Sequence, residues 1–296
     1  MKLFVPAIIP LALATYKTSG PPSRGLKNAE NTNDLCASRI KEGAFFSTLE
    51  ESDAQNDTST KDYVYNYDDE SEYPGMEIEM KPRAIIILDA TGSMSELKNN
   101  VINAYNKEIQ NFKQEFSDPN FTPRLTLIKF AQFLKIEEYD SIFDVQDLTE
   151  DSYQTRGTTA LYDAIGCTLN AYQEEYANVV HIMTDGNDNF SKIFMNETDI
   201  ADKIDDLKLK KDWTIYYSRS VDADSEVADL INVDRKNVRK FRRSGTGINN
   251  TFRSTSRKMV RAMKKSMKTA KKRAMQKQIL ERMKSGGPAP AGFGDY

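Results

Sequence analysis

Asp89, Thr91 and Ser93 stand at alternate positions in Asp89-Ala-Thr91-Gly-Ser93-Met-Ser95. In an extended loop that spacing turns a carboxylate and two hydroxyls to the same side. Two further segments carry the same kinds of group: Arg156-Gly-Thr158-Thr159, and Thr184-Asp185-Gly-Asn-Asp188-Asn189. All the donors are oxygens. Such a set suits a hard divalent cation, Mg2+ first, with Mn2+ or Ca2+ as alternatives. Taken singly, each segment has a plainer reading, because Asp, Ser and Thr before a helix are its common caps. Capping does not account for all three falling at neighbouring strand ends of one sheet.

The elements that would hold these loops are written in the hydropathy pattern. Arg83-Ala-Ile-Ile-Ile-Leu-Asp89 is a continuous apolar run, the mark of a strand buried on both faces. Leu97, Val101, Ile102, Tyr105, Ile109, Phe112 and Phe116 recur at helical spacing. Residues 125–130 and 133–139 read as strands with almost no connection, so the second is expected to be an antiparallel edge. A helix follows from Leu161 to Tyr176, then a buried strand at 179–183 and a helix at 198–212. A strand at 213–217, a short helix at 225–231 and a last strand at 238–242 complete the pattern. Alternation of this kind predicts an α/β fold with a doubly wound, mostly parallel sheet and helices on both faces. Ligands of such sheets bind outside the carboxyl ends of the strands.

These residues carry a resemblance. Ile-Ile-Ile-Leu-Asp89-Ala-Thr-Gly-Ser-Met-Ser95 resembles the opening of a von Willebrand factor type A domain. That family's metal-ion-dependent adhesion site begins Asp-x-Ser-x-Ser, with Thr91 here in place of the first Ser. Arg156-Gly-Thr-Thr-Ala-Leu-Tyr-Asp-Ala-Ile-Gly166 is similar to the family's second segment, and Ile182-Met-Thr-Asp-Gly186 to its third. The resemblance covers about residues 80–265. It implies a Rossmann-like fold and a metal held by Asp89, Thr91, Ser93, Thr159 (or Thr158) and Asp185. It also implies a binding module rather than an enzyme, with an acidic residue of a partner protein filling an open coordination position. A second resemblance points elsewhere. Asp89-Ala-Thr-Gly-Ser is also similar to the phosphorylation motif of haloacid-dehalogenase-type phosphotransferases. Asp89 would then be a nucleophile, with Asp185 and Asp188 as Mg2+ ligands.

Composition bounds the rest. The chain has 296 residues, 39% hydrophobic and 29% charged, with a mean hydropathy of -0.62. That predicts one well-cored domain with polar extensions. One histidine, His181, excludes any mechanism that needs two, and its place inside a buried strand marks it as a core residue. Two cysteines, Cys36 and Cys167, are too few for a thiolate zinc site, and their separation reads as reduced thiols. The net charge of -3 conceals a split. From Arg235 to Lys284 nineteen Lys and Arg face one acid, Glu281, so the remaining chain is strongly acidic.

The chain divides into an apolar segment over 1–14 that could be a signal peptide, a largely disordered acidic arm over 15–80, the sheet domain over 81–260, a basic amphipathic helix over 261–284, and a flexible tail over 285–296. The basic helix is a candidate binder of anionic membrane, nucleic acid or an acidic protein surface. The segment Gly245 to Ser254 is similar to bacterial and phage-type relatives, and a glycan at the Asn189 sequon would crowd the metal loop. Both favour an intracellular or virion-associated protein, with secretion as the alternative.

Overall fold

The computed structural model describes residues 32, 34–39, 82–117, 122–173, 175, 177–223 and 226–284, with residues 270–284 described by backbone alone. The expectations for 1–14, for most of 15–80 and for 285–296 lie outside the described residues. Six strands form one sheet: β1 (Arg83–Asp89), β2 (Arg124–Phe130), β3 (Leu134–Tyr139), β4 (Val179–Thr184), β5 (Thr214–Ser220) and β6 (Val238–Phe241). Their order is β3-β2-β1-β4-β5-β6. Only the β2–β3 pair is antiparallel, as its short connection requires. Besides a short helical segment at 34–39, five α-helices pack around the sheet among the described residues: α1 (Lys98–Glu115), α2 (Leu161–Tyr172), α3 (Glu197–Lys211), α4 (Val227–Leu230) and α5 (Gly245–Lys284).

The period-2 geometry of β1 divides the core in two. Ala84, Ile86 and Leu88 face a cluster with Val101, Tyr105 and Ile109 of α1 and Ile248, Phe252, Met259 and Met263 of α5. Ile85 and Ile87 face the opposite cluster, with Leu161, Ile165 and Leu169 of α2 and Ile200, Ile204 and Leu207 of α3. The sheet is therefore covered on both faces, which is why β1 and β4 carry no alternating polar residues. The last helix is continuous with the expected basic helix and stays docked past residue 260, the boundary expected for the domain. It opens at Gly245, and Met263 and Ser266 are still buried. Its apolar stripe is continued by small hydroxyls, such as Ser256, which donates 2.7 Å to the buried Glu108 of α1.

Two expectations are corrected. Cys36 and Cys167 form a disulfide, with Cα atoms 5.5 Å apart, and are not reduced thiols. Residues 34–39 are helical, so this piece of the acidic arm is ordered and pinned on α2. Arg39 completes the clamp. Its guanidinium donates to the Gln132 carbonyl at 2.5 Å and to Asp163 of α2 at 3.1 Å, and lies 5.5 Å from the Phe190 ring centre.

His181 is a buried core residue of β4. Its Nε2 lies 2.9 Å from Ser218 Oγ, and its ring meets Phe252 edge-on at 5.8 Å. Burial pushes its pKa down from 6.5 to about 3. The folded state thus holds it neutral, while the unfolded chain takes up a proton below pH 6.5. Its contribution is present above pH 6.5 and is lost as pH falls toward 3. The extra slope approaches about 1.4 kcal/mol per pH unit within that window. His181→Gln removes this term. Urea unfolding of both proteins from pH 7 to 4 is expected to show the stability gap shifting in the variant's favour as pH falls. A gap that stays constant would refute the assignment.

Candidate metal centre

Three loops meet at the rim formed by the carboxyl ends of β1 and β4. The first leaves β1 at Asp89 and enters a 3-10 turn, Gly92–Leu97. The second runs from β3 toward α2. Its backbone is sewn to the first by Arg156 N–H to the Ala90 carbonyl (2.9 Å) and Gly92 N–H to the Gly157 carbonyl (3.1 Å). Gly157 is needed there, because its φ of +78° is a conformation that L side chains rarely adopt. The third leaves β4 at Thr184.

Asp89 is fully buried and both its carboxylate oxygens accept hydrogen bonds. Thr91 N–H donates to Oδ1 at 2.8 Å, and Thr184 Oγ1–H to Oδ2 at 2.6 Å. Burial raises its pKa to about 6, against the pull of those bonds. Thr91 Oγ1 lies 2.9 Å from Ser93 Oγ, which donates 2.6 Å to Asp185 Oδ1. Thr159 Oγ1 closes the group from the other loop. A Cβ placed on Gly186 would lie 3.7 Å from Thr159 Oγ1 and 3.9 Å from Ser93 Oγ. The neighbouring Thr158 is exposed, whereas Thr159 is buried and its amide donates 2.8 Å to Asn189 Oδ1. All five residues singled out in the sequence thus sit around one point, with Ser93 on the open side.

Asp188 is used differently. It accepts from the Tyr162 amide at the start of α2 (3.2 Å) and from Ser191 Oγ (2.5 Å). It is therefore a cap of α2 rather than a member of the Asp89–Asp185 group. The phosphotransferase reading loses its second ligand by this turn.

Three partners were not singled out as site residues from the sequence. Thr184 orients Asp89, and Tyr153 donates 2.5 Å to the Asp89 carbonyl from full burial. Arg243, just before α5, donates through Nη1 to Asp185 Oδ2 and through Nη2 to the Ser93 carbonyl (2.7 Å). Thr184 is adjacent to Asp185 and was legible. Arg243 is one cation in a run of many and carries no signal of its own.

The donor set fits a divalent cation on its chemistry. Two carboxylates and three hydroxyls, all hard oxygens, converge, and the Arg243 guanidinium on Asp185 is the charge with which an ion would compete. No group of three His, Cys, Asp or Glu side chains suited to a metal occurs among the described residues, so any ion here depends on the hydroxyls. Beside the first loop opens a cleft of about 340 Å3, whose lining includes Phe130, Phe133, Leu134, Arg156 and Gly157.

No family model and no curated protein matches the chain. Solved structures of similar fold include proximal thread matrix protein 1 from the mussel byssus, at 13% identity, with a TM-score of 0.44, covering 60% of this chain and 47% of that one. A structure of the same mussel protein is described as having a zinc-occupied MIDAS motif (12% identity, TM-score 0.45, covering 60% and 47%). A von Willebrand factor type A protein from Catenulispora acidiphila matches at 14% identity and a TM-score of 0.45, covering 61% and 43%. The match thus spans less than half the length of each of these structures. The sheet order, its single antiparallel edge, and the three loops gathered at the rim of β1 and β4 agree with the von Willebrand factor type A-like fold implied by the sequence.

Proposed function

We propose that this chain is a divalent-metal-dependent protein-binding module and not an enzyme. The single observation that carries the reading is the convergence of Asp89, Thr91, Ser93, Thr159 and Asp185, with four of the five joined through the Thr91–Ser93–Asp185 and Asp89–Thr91 bonds. Asp89, Ser93, Thr91, Thr159 and Asp185 would hold the ion, with Mg2+ preferred and Mn2+ or Ca2+ accepted. A bound Mg2+ with few protein charges retains demand for one more hard anionic ligand. The exposed Ser93 side of the rim is where a carboxylate of a partner would approach. Thr184 and Tyr153 hold the Asp89 loop in place, and the buried setting of Asp89 favours neutralisation by a cation over exposure to water. The basic stretch of α5 is a second contact for the same partner or its surroundings.

The disulfide supports an oxidising compartment, such as the cell exterior, over the intracellular setting expected from the sequence. No described helix is long and apolar enough to cross a membrane.

Calorimetric titration of the full chain with MgCl2 tests the reading. Wild type is expected to bind. Asp89→Ala combined with Asp185→Ala is expected to weaken binding by more than the roughly 10–100-fold typical of outer-shell changes. Equal binding by the two proteins would end the proposal.

A further inference from the structure

The face where β6 meets α5 carries a second feature, remote in kind from the oxygen-rich rim. Asn250, Arg253, Arg257, Lys258 and Arg261 follow one another along α5 at spacings that place them on one stripe of the helix. With Arg239 of the edge strand β6 they line a concavity of about 480 Å3. Arg253, Arg257 and Arg261 are exposed. None of the five cations forms an ion pair with a carboxylate among the described residues, and no acid lines the concavity. The nearest acid in sequence, Asp234, is already held by Lys208 (3.1 Å) and Lys236 (3.6 Å). Arg239 Nε is buried without any hydrogen-bond partner. A buried donor of a charged group left unmet is costly. Burial first and the nearby Arg239 charge second push the Lys258 ammonium below its ordinary range, and its Nζ donates 2.6 Å to the Lys236 carbonyl.

We infer that this concavity is a binding site for a polyanion bearing closely spaced sulfate or phosphate esters, and that its ligand is a sulfated polysaccharide. Four of the five cations are guanidiniums, whose planar fork matches the oxyanion of an ester sulfate or phosphate. The lining contains no aromatic ring on which a base could stack, so single-stranded nucleic acid has nothing to hold but its backbone. It contains no large apolar side chain to enter a bilayer. The disulfide favours an oxidising compartment, where sulfated glycans occur and nucleic acid is scarce. The site is independent of the metal reading, and its occupancy is expected to persist in a chelator.

The test uses the full disulfide-bonded chain, with heparin as probe and a duplex DNA of random sequence as the competing arm, at about 0.15 M salt and in a chelator. Wild type is expected to bind heparin more tightly than duplex DNA. Arg253→Ala with Arg257→Ala and Arg261→Ala changes only exposed side chains, so the fold is retained, and circular dichroism checks this. That triple variant is expected to lose at least tenfold in heparin affinity and to flatten the dependence of log K on log salt by about two to three units. Lys271→Ala with Lys272→Ala and Arg273→Ala removes the same charge from the far end of α5 and is expected to lose less than threefold. Equal losses in the two triples would overturn a defined site, because charge alone would then explain binding. Tighter binding of the duplex, abolished by the first triple, would overturn the glycan assignment. Absence of heparin binding by wild type would overturn both.

Discussion

Asp163→Ala is expected to destabilise the domain by about 3–5 kcal/mol, the usual result of removing one partner of a buried ion pair. The carboxylate is 1% exposed and has four donors. The Ile193 and Phe194 amides reach Oδ1 at 2.8 and 2.9 Å, and the Lys192 amide and Arg39 Nη2 reach Oδ2 at 3.0 and 3.1 Å. Alanine would leave a guanidinium that is 8% exposed without its counter-charge, and three amides without an acceptor. Asp163→Asn keeps an acceptor but not the charge, so an intermediate loss is expected. The same loop is packed tightly enough that Gly166 admits no side chain. A Cβ there would fall 2.4 Å from the Phe194 ring. The effect reaches the rim, because the Asn189 and Phe190 amides donate to the Thr159 carbonyl (2.9 and 3.0 Å). Denaturant unfolding measures the loss, and hydrogen exchange at residues 192–194 locates it. A change below about 1 kcal/mol would show that the four bonds contribute no more than a surface pair.

This residue marks the boundary between what the sequence discloses and what it does not. The apolar runs of β1 and β4 and the helical stripes of α1, α2 and α3 are local patterns. Each needs only its own neighbours to be read, so the mostly parallel sheet, its antiparallel edge and the helices followed. The three rim segments were legible because each follows a strand or precedes a helix, and the resemblance then picked the five residues within them. Asp163 lies in the first turn of a recognised helix, yet its charge partner is 124 residues away, in an arm whose composition reads as unfolded. Nothing in the spacing of Arg39 or Cys36 announces a tertiary contact. Arg243 was hidden for the opposite reason, since one guanidinium among nineteen cations looks like any other. The misreading of the thiols has the same origin: a pairing across the chain depends on how two elements dock, which no local pattern encodes.

Reduction of Cys36–Cys167 is expected to produce the other large effect. The bridge spans a sequence separation of 131 residues, with Cys36 5% and Cys167 3% exposed. In the chain-entropy description, closing a loop of that length restricts the unfolded ensemble by about 5 kcal/mol of stability. The folded state also loses a tether. Without the bond, residues 34–39 are held chiefly by Arg39, and each excursion of that helix strips Asp163 of its counter-charge. The oxidised protein is therefore expected to unfold at a clearly higher denaturant midpoint than the dithiothreitol-treated protein. Cys36→Ser with Cys167→Ser should match the reduced form and no longer respond to dithiothreitol. In combination, Asp163→Ala and the serine pair should cost less than the sum of their separate effects, since both release the same segment. Thiol titration of unreduced, denatured protein gives the direct check. Two free thiols, or equal midpoints before and after reduction, would remove the cross-link and with it the argument for an oxidising compartment. The bonds that join Asp89, Thr91, Ser93, Thr184 and Asp185 would remain, because none of them passes through residues 34–39.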